Sequence, residues 1–296
     1  MIEIRSLEPG EEAAVEAFLA ARPERSLHML SNIAAVGLAP GAEPYRGYYA
    51  GAFERDRLVG VVAHYWNGLL YLRAPVRAAS LAVEATKRSG LPIKAIFGPA
   101  QQVDEAQDAL GVASAEITFR GEPELMTLDL SVLRPPPAAL EERLQVRCVR
   151  SSEADLVANW FQRFEVDVFG KKESPGLYRE ALETVQRLRR AKRLWGLLRA
   201  GRIVACCGFS ARYRDMVQVG PVWVPMGLRN GGYGRAVVAG ALLAAREEGV
   251  GRAVLLGEDP AARRAYLALG FRSVGRQVLI HLREESFASV ALRRVG

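Results

Sequence analysis

The sequence contains few of the residues that build disulfide frameworks or metal centres. It has three cysteines in 296 residues, Cys148 and the adjacent pair Cys206 and Cys207. An odd number of cysteines without metal-ligand spacing favours buried thiols in a reducing compartment over disulfides. The three histidines are scattered along the chain, and an isolated histidine on an apolar strand is more often a packed residue than a ligand. We therefore expect no metal site.

Long apolar segments are also missing. No uninterrupted apolar run approaches the roughly 18 residues that a membrane-spanning helix needs. The first residues, Met1–Arg5, lack the pattern of a secretory signal. We therefore expect a cytoplasmic protein that does not enter a membrane.

Basic residues are in excess, but no segment concentrates them. The formal net charge is +7 and the sequence pI is about 9.5. The arginines are spread along predicted helices and turns, without a basic arm or a nucleic-acid motif. A solvated surface explains most of them, and an anionic ligand explains a modest excess equally well. Nucleic acid is therefore not an expected partner.

The chain is long enough for two domains, and its two halves repeat one pattern. The hairpin at Gly51–Gly60 aligns without a gap on Gly196–Ala205. Further on, Gly98-Pro99 opens a helix that ends at Leu110-Gly111, just as Asp259-Pro260 opens one that ends at Leu269-Gly270. A repeat on the scale of a domain is the simplest interpretation.

The most informative stretch is a strand, a glycine turn and a helix in the second half. The apolar run Val219–Pro225 leads through Arg229–Gly234 into the amphipathic segment Arg235–Glu248. Glycines at the start of a helix leave backbone N–H groups unpaired and accessible, which suits phosphate binding. A Walker loop would need Lys and Ser or Thr after Gly234, and the dinucleotide fingerprint has a different glycine spacing. Neither motif fits.

The spacing Arg229-x-x-Gly232-x-Gly234 resembles the acetyl-CoA site of the GNAT superfamily of N-acetyltransferases. Two downstream segments, Asp259–Tyr266 and Leu269–Phe271, agree with that family in order and spacing. The resemblance covers roughly the last half of the chain. It implies a mixed α/β fold, two GNAT-like acyl-CoA N-acyltransferase domains in tandem, with acetyl-CoA as the acyl donor.

The resemblance also implies which residues hold the donor. The strand before the turn would lie beside the pantetheine arm, the turn would bind the pyrophosphate, and one face of the later helix would contact the cofactor. The implied cofactor-binding residues are Val222, Trp223, Val224, Arg229, Asn230, Gly231, Gly232, Tyr233, Gly234, Arg235, Asp259 and Arg263. Gly231 departs from the family pattern, because Lys or Arg is frequent there.

Catalytic groups are less clearly marked. Asp259 is a cofactor contact in the resemblance, but Asp before Pro is also an ordinary helix N-cap. Tyr266 is our candidate for the acid that protonates the departing thiolate, with a packed core tyrosine as the alternative. The strand Met216–Val224 holds no carboxylate, although many relatives place a glutamate there. We therefore choose Glu165 as the candidate base, with a water as the alternative.

The first half lacks the chemistry of the second. No glycine lies between Leu72 and Val83, and Glu105 aligns with Tyr266. We predict a degenerate GNAT-like domain at 1–133, closed by a strand at Met126–Leu130. A Pro-rich linker at 134–143 and a catalytic GNAT domain at 144–296 follow.

The sequence therefore predicts an N-acetyltransferase that acts on the primary amine of a small molecule or amino acid. An extra residue near Met226–Leu228 resembles tandem-domain proteins and glycine N-acyltransferase-like enzymes. A homodimer is compatible with the sequence. The alternative is a non-catalytic acyl-CoA-binding regulatory module, because the strand carboxylate is missing.

Overall fold

The computed structural model describes residues 1–137 and 144–283. It divides the chain into two compact units. The first unit combines Met1–Pro123 with the described residues from Arg276, and the second consists of the described residues between Glu124 and Gly275. Each unit contains a seven-stranded sheet with helices on both faces. The predicted tandem α/β fold is confirmed.

The sheet of the first unit has the strand order β1-β2-β3-β4-β5-β14-β6. Neighbouring strands are antiparallel except β4 and β5, which are parallel. Its elements, numbered in chain order, are β1 (Ile2–Ser6), α1 (Glu12–Ala20), α2 (Pro23–Val36), β2 (Gly47–Glu54), β3 (Arg57–Tyr65), β4 (Leu69–Arg73), α3 (Ala78–Ser89), β5 (Ala95–Gly98), α4 (Ala100–Ala109), β6 (Ile117–Gly121) and β14 (Val278–Leu282).

The sheet of the second unit has the order β13-β7-β12-β11-β10-β9-β8. Read from β8 to β13, this order is equivalent to that of the first sheet read from β1 to β6. The second sheet's one parallel pair among the described register pairs joins β11 to β12. Its elements are β7 (Glu124–Asp129), β8 (Leu144–Cys148), α5 (Ala154–Phe169), α6 (Pro175–Arg190), β9 (Leu194–Arg199), β10 (Arg202–Tyr213), β11 (Met216–Trp223), α7 (Tyr233–Glu247), β12 (Arg252–Gly257), α8 (Pro260–Leu269) and β13 (Arg272–Arg276).

The predicted domain boundaries need a correction, because each sheet takes one strand from beyond its own half of the chain. Met126–Leu130 was expected to close the first sheet, yet β7 pairs with β12 in the second, with Leu128 opposite Ala253. In the first sheet, β14 lies between β5 and β6. Hydrophobic alternation marks a strand but not its partner. The sequence therefore could not show this exchange. Of the predicted linker at 134–143, residues 138–143 lie outside the described part of the chain.

The core of the second unit explains which side of the sheet carries which helices. Helix α7 buries an almost continuous apolar face, including Val237 and Leu242, against the sheet. On the opposite face, α5 and α6 pack around Phe161 and Val185 together with Trp223 of β11. Consecutive residues of β11 therefore face different layers, because side chains alternate along a strand. Trp223 faces α5, and Val222 and Val224 pack against the core under α7.

Two negative findings apply to the described residues alone. Within 1–137 and 144–283, no helix is both long and apolar enough to cross a membrane. The same part of the chain contains no group of three His, Cys, Asp or Glu side chains arranged to hold a metal ion.

Candidate active site

The site begins where β11 separates from β12. The two strands pair in parallel from Met216 opposite Arg252 to Val219 opposite Leu255. Strand β11 then continues to Trp223, while its other edge stays paired with β10. A bulge occurs at the point of separation, since Phe209 lies opposite both Val219 and Gly220. A bulge bends its strand, and the bend leaves Gly220–Trp223 with an edge that no described strand covers. We call this segment the open edge.

After the open edge and the short 3-10 turn Met226–Leu228, the chain forms the glycine turn, Arg229–Gly234. Two of them have left-handed backbone conformations, Asn230 with φ of 66° and Gly232 with φ of 76°. Helix α7 begins directly after Gly232. A Cβ atom added to Gly232 would meet nothing within 4 Å, so the approach to this backbone is open. The structure thus places a glycine turn where the sequence indicated one.

The turn presents a series of free backbone donors. Within the described part of the chain, no acceptor is found for the amides of 230–235, whereas the next amide, that of Ala236, donates to the carbonyl oxygen of Gly232 at 3.0 Å. Successive N–H groups in a turn conformation can point toward one concave side, which suits an anion. The positive end of the α7 dipole adds to the same field. This is the geometry that a pyrophosphate needs.

Side chains around the turn differ in how they are engaged. The hydroxyl of Tyr233 accepts a hydrogen bond from Arg199 of β9 at 2.6 Å. Arg235 has no hydrogen bond or ion pair among the described residues and is half-buried at the start of α7, so its guanidinium is available to a phosphate. Arg229 instead turns back toward the end of β11, where its Nε donates to the carbonyl oxygen of Val224, the residue after the strand, at 3.2 Å.

Helix α8 carries two of the predicted residues, Arg263 and Tyr266, and the third, Asp259, caps it. Its Oδ1 accepts from the amide of Ala262 at 2.7 Å, and Pro260 follows at the first helical position. Asp259 therefore satisfies the alternative prediction of an N-cap. Its side chain is exposed, and its predicted contact with the cofactor stays a prediction.

Tyr266 lies about two turns after Asp259 on α8 and is half-buried against the core. Its ring packs edge-on against Phe271, with centroids 6.0 Å apart. A Cβ added to Gly257, the last residue of β12, would lie 3.5 Å from its ring. Burial raises the pKa of Tyr266 well above that of a free tyrosine. Its hydroxyl is therefore protonated at neutral pH, and it has no hydrogen-bond partner among the described residues.

Arg263 shares this corner of the unit, and its partner is a residue that sequence reasoning missed. Its Nε donates to a carboxylate oxygen of Glu124. Glu124 begins β7 and lies opposite Gly257 in the sheet, with a side chain only 14% exposed. Because β7 comes from before the linker, no local pattern near α8 points to Glu124. Only the pairing of β7 with β12 brings it to Arg263.

The candidate base is less well placed. Glu165 of α5 forms an ion pair with Lys171 at 2.6 Å, and no other ion pair or hydrogen bond of its carboxylate is found among the described residues. It can serve an acceptor ammonium only after this pair opens. Asp215, the last carboxylate before β11, is paired with Arg252 at 3.2 Å. The structure therefore brings Arg263 and Tyr266 together beside β12, and it leaves Glu165 on a separate element.

The comparisons with known proteins agree with this geometry. A model of the Acetyltransferase (GNAT) family matches residues 155–271, a range that contains the open edge, the glycine turn and α8. The segment 155–271 is therefore similar to a GNAT acetyltransferase domain. The fold of this domain supports acyl-CoA-dependent N-acetyl transfer in general. No curated protein matches the chain in sequence.

Solved structures of similar fold extend the likeness over both units. A GCN5-related N-acetyltransferase from Sphaerobacter thermophilus is 17% identical with a TM-score of 0.58, covering 94% of this chain and 94% of that one. A tandem GNAT protein from the clavulanic acid biosynthesis pathway is 16% identical with a TM-score of 0.54, covering 95% and 98%. A Drosophila protein reaches a TM-score of 0.67 at 13% identity, covering 95% and 98%. At these identities the likeness concerns the fold. The resemblance to glycine N-acyltransferase-like enzymes stays a prediction.

Proposed function

We propose that the protein is an N-acetyltransferase that transfers the acetyl group of acetyl-CoA to a primary amine of a small molecule or amino acid. The observation that carries this proposal is the open edge of β11 together with the free amides of the glycine turn, which follows it after the short 3-10 turn Met226–Leu228. An extended pantetheine arm can pair with a strand edge as a peptide does. A pyrophosphate fits the amides at the start of α7.

In this mechanism the amine nitrogen attacks the thioester carbonyl carbon, the C–N bond forms and the C–S bond breaks. The departing thiolate takes its proton from the hydroxyl of Tyr266, whose raised pKa keeps that proton in place until it is needed. The ammonium loses one proton before the attack, through Glu165 once its pair with Lys171 has opened, or through water. The nitrogen loses a second proton as the C–S bond breaks, and water returns that proton to the Tyr266 hydroxyl. An N–H group of the open edge would face the thioester oxygen.

Direct transfer is favoured over an acetylated enzyme because the thiols are unsuited to attack. Cys206 and Cys207 lie on β10 beside the open edge, and both are fully buried. Burial raises the pKa of each thiol above its ordinary value. Both are therefore protonated at neutral pH, and a protonated thiol is a poor nucleophile.

Calorimetric titration of the whole chain with acetyl-CoA tests the donor site. We expect one site per chain, and no binding at millimolar acetyl-CoA would end the proposal. A panel of primary amines with acetyl-CoA, followed by thiol release, then tests transfer. A protein that binds acetyl-CoA but acetylates no amine fits the second candidate, a non-catalytic acyl-CoA-binding module. The ion pair that holds Glu165 and the lack of a carboxylate in β11 favour that candidate.

A further inference from the structure

One side chain of the glycine turn makes three contacts that are typical of a bound cation. The guanidinium carbon of Arg229 lies 4.8 Å from the centroid of the Trp223 ring. Its Nε donates to the carbonyl oxygen of Val224 at 3.2 Å, and its Nη2 lies 3.5 Å from a carboxylate oxygen of Asp167. An aromatic face, a backbone acceptor and a carboxylate therefore surround one positive charge.

The groups that surround this charge are held by the fold rather than by Arg229. Trp223 is 7% exposed, and its ring packs edge-on against Phe164 of α5 with centroids 6.4 Å apart. Asp167 lies on the last turn of the same helix, and Arg229 is its only ion-pair partner in the described part of the chain. The arrangement would thus present a negative and aromatic surface if Arg229 moved away.

Arg229 itself is the most exposed member of this group. Its side chain is 42% exposed, and it is the first residue of the glycine turn, directly after the short 3-10 turn Met226–Leu228. An exposed arginine exchanges its partners at a small cost in free energy. A phosphate bound at the turn would offer Arg229 a stronger partner, since arginine binds phosphate in a bidentate manner.

The position of the group suggests which ligand replaces Arg229. Trp223 ends the open edge, which the proposed function assigns to the acyl donor. Its ring lies on the α5 face of the sheet, opposite the α7 face. A cation that enters from the α5 face would therefore reach the site across the strand from the glycine turn.

We propose that the face of Trp223, the carbonyl oxygen of Val224 and the carboxylate of Asp167 form a cation subsite for the acceptor, which Arg229 occupies while the acceptor is absent. This inference rests on the proposed function. The subsite stabilises the protonated form of the group that it holds, so that group cannot be the nucleophile. The acceptor therefore carries a second cationic group, ammonium or guanidinium, besides the amine that is acetylated.

The binding arm of the test needs no catalysis. The probes are n-butylguanidinium and n-butylammonium, with butan-1-ol as the neutral control, and apparent dissociation constants come from thermal shifts of the whole chain. Arg229→Ala empties the subsite and should bind the cations roughly tenfold tighter than the wild type. The double variant Arg229→Ala/Asp167→Asn should lose this gain. The matched control is Arg163→Ala, which removes an α5 arginine paired with Glu173 at 3.2 Å but leaves Trp223 covered.

A second arm compares acceptors of equal length, a terminal diamine and the corresponding monoamine. With wild-type enzyme the diamine should have the lower KM, and Asp167→Asn should remove the difference. If Arg229→Ala gains no affinity for the cations, the subsite is overturned even where amines are acetylated. If the cations bind as expected but no amine is acetylated, the subsite stands and the proposed N-acetyltransferase activity fails. Cations that bind wild type and Arg229→Ala equally would also contradict the subsite.

Discussion

The two units contain equivalent seven-stranded sheets, but they differ at the ends of the equivalent strands β11 and β4. In the second unit, β11 extends past the last residue paired with β12 and bends away at a bulge. In the first unit, β4 pairs with β5 up to Tyr71 opposite Phe97 and ends two residues later at Arg73. The pairing of β3 with β4 is regular, without a bulge. The uncovered edge is therefore four residues long in the second unit and two residues long in the first.

Packing closes the gap between β4 and β5 in the first unit. A Cβ added to Gly98 would lie 2.8 Å from the Cβ of Leu72, so the carboxyl ends of β4 and β5 stay in contact. The amide of Ala74 donates to Oε1 of Gln102 at 2.9 Å. Gln102 aligns with Arg263, counted from the prolines that open α4 and α8. A side chain thus takes a donor that a ligand would need.

The turn that leads to the next helix is also less open to a ligand in the first unit than in the second. Arg77 precedes α3 with φ of 59°, where Gly232 precedes α7 with a similar backbone angle. A left-handed residue alone is therefore not a phosphate site. The side chain of Arg77 and the absence of glycine beside it keep a large anion from the backbone. The difference between the units teaches that strand separation and an uncovered turn must occur together.

The largest expected effect comes from removing the hydroxyl of Tyr266, which aligns with Glu105 of the first unit. Tyr266→Phe should lower kcat on the order of 100-fold, because the thiolate loses its proton donor, with little change in the affinity for acetyl-CoA. Steady-state kinetics and calorimetry measure both. Tyr178→Phe is the control, since it removes a surface hydroxyl that donates to Asp155 at 2.9 Å. An unchanged kcat in Tyr266→Phe would remove the role as acid.

The raised pKa of Tyr266 also predicts how the effect of Tyr266→Phe on kcat depends on pH. Burial raises the pKa of Tyr266, so the proton-donating form persists through the neutral range and beyond the ordinary tyrosine value of about 10. The ratio of wild-type to Tyr266→Phe kcat should therefore stay constant from neutral pH to about pH 10. A ratio that collapses toward one below about pH 9 would show that the hydroxyl ionises there and would contradict this environment.

Substituting valine for Gly232 should make the turn before α7 as inaccessible to an anion as the turn before α3. Gly232→Val places a branched side chain over the amides and should weaken acetyl-CoA binding by about tenfold or more. It also strains a left-handed backbone position, which costs about 1–3 kcal/mol of stability. Gly249→Val is the matched control, because Gly249 has φ of 84° with nothing within 4 Å of an added Cβ. The control should lose similar stability but keep its affinity in calorimetry.

The closure of the first unit can be tested at Gln102. Gln102→Ala leaves the buried amide of Ala74 without its acceptor and should lower the free energy of unfolding by about 1–3 kcal/mol. Gln101→Ala removes only a surface bond to Glu105 and should have a smaller effect in urea unfolding. Acetyl-CoA should still bind at one site per chain. A second binding site in Gln102→Ala would mean that Gln102 alone disables the first unit.

The smallest expected effect concerns the ion pair between Arg263 and Glu124. Arg263 occupies in the second unit the position that Gln102 occupies in the first. Glu124→Gln keeps the shape of the side chain but removes the charge beside Arg263, and should cost about 1 kcal/mol of stability. The control Asp104→Asn breaks an exposed pair with Arg120 at 2.9 Å and should cost less. Equal thermal shifts in both variants would show that Glu124 contributes no more than a surface charge.

The sequence by itself determined the features that depend on neighbours in the chain. Gly232 before an amphipathic run predicted the turn and the start of α7, since a left-handed backbone favours glycine. Asp259-Pro260 predicted a capped helix, because both residues act within one turn. The repeat predicted a tandem fold, since matching hydrophobic patterns build matching sheets.

Tertiary structure alone decided the features that depend on strand pairing and packing. The exchange of β7 and β14 between the sheets overturned the boundary drawn at residue 133, because an apolar strand satisfies either sheet equally well. The same exchange brought Glu124 to Arg263. The contacts of Arg229 with Trp223 and Asp167 also arise from packing across elements far apart in the sequence. Local patterns specify what a segment can form, and the partners that complete it are chosen only when the sheets assemble.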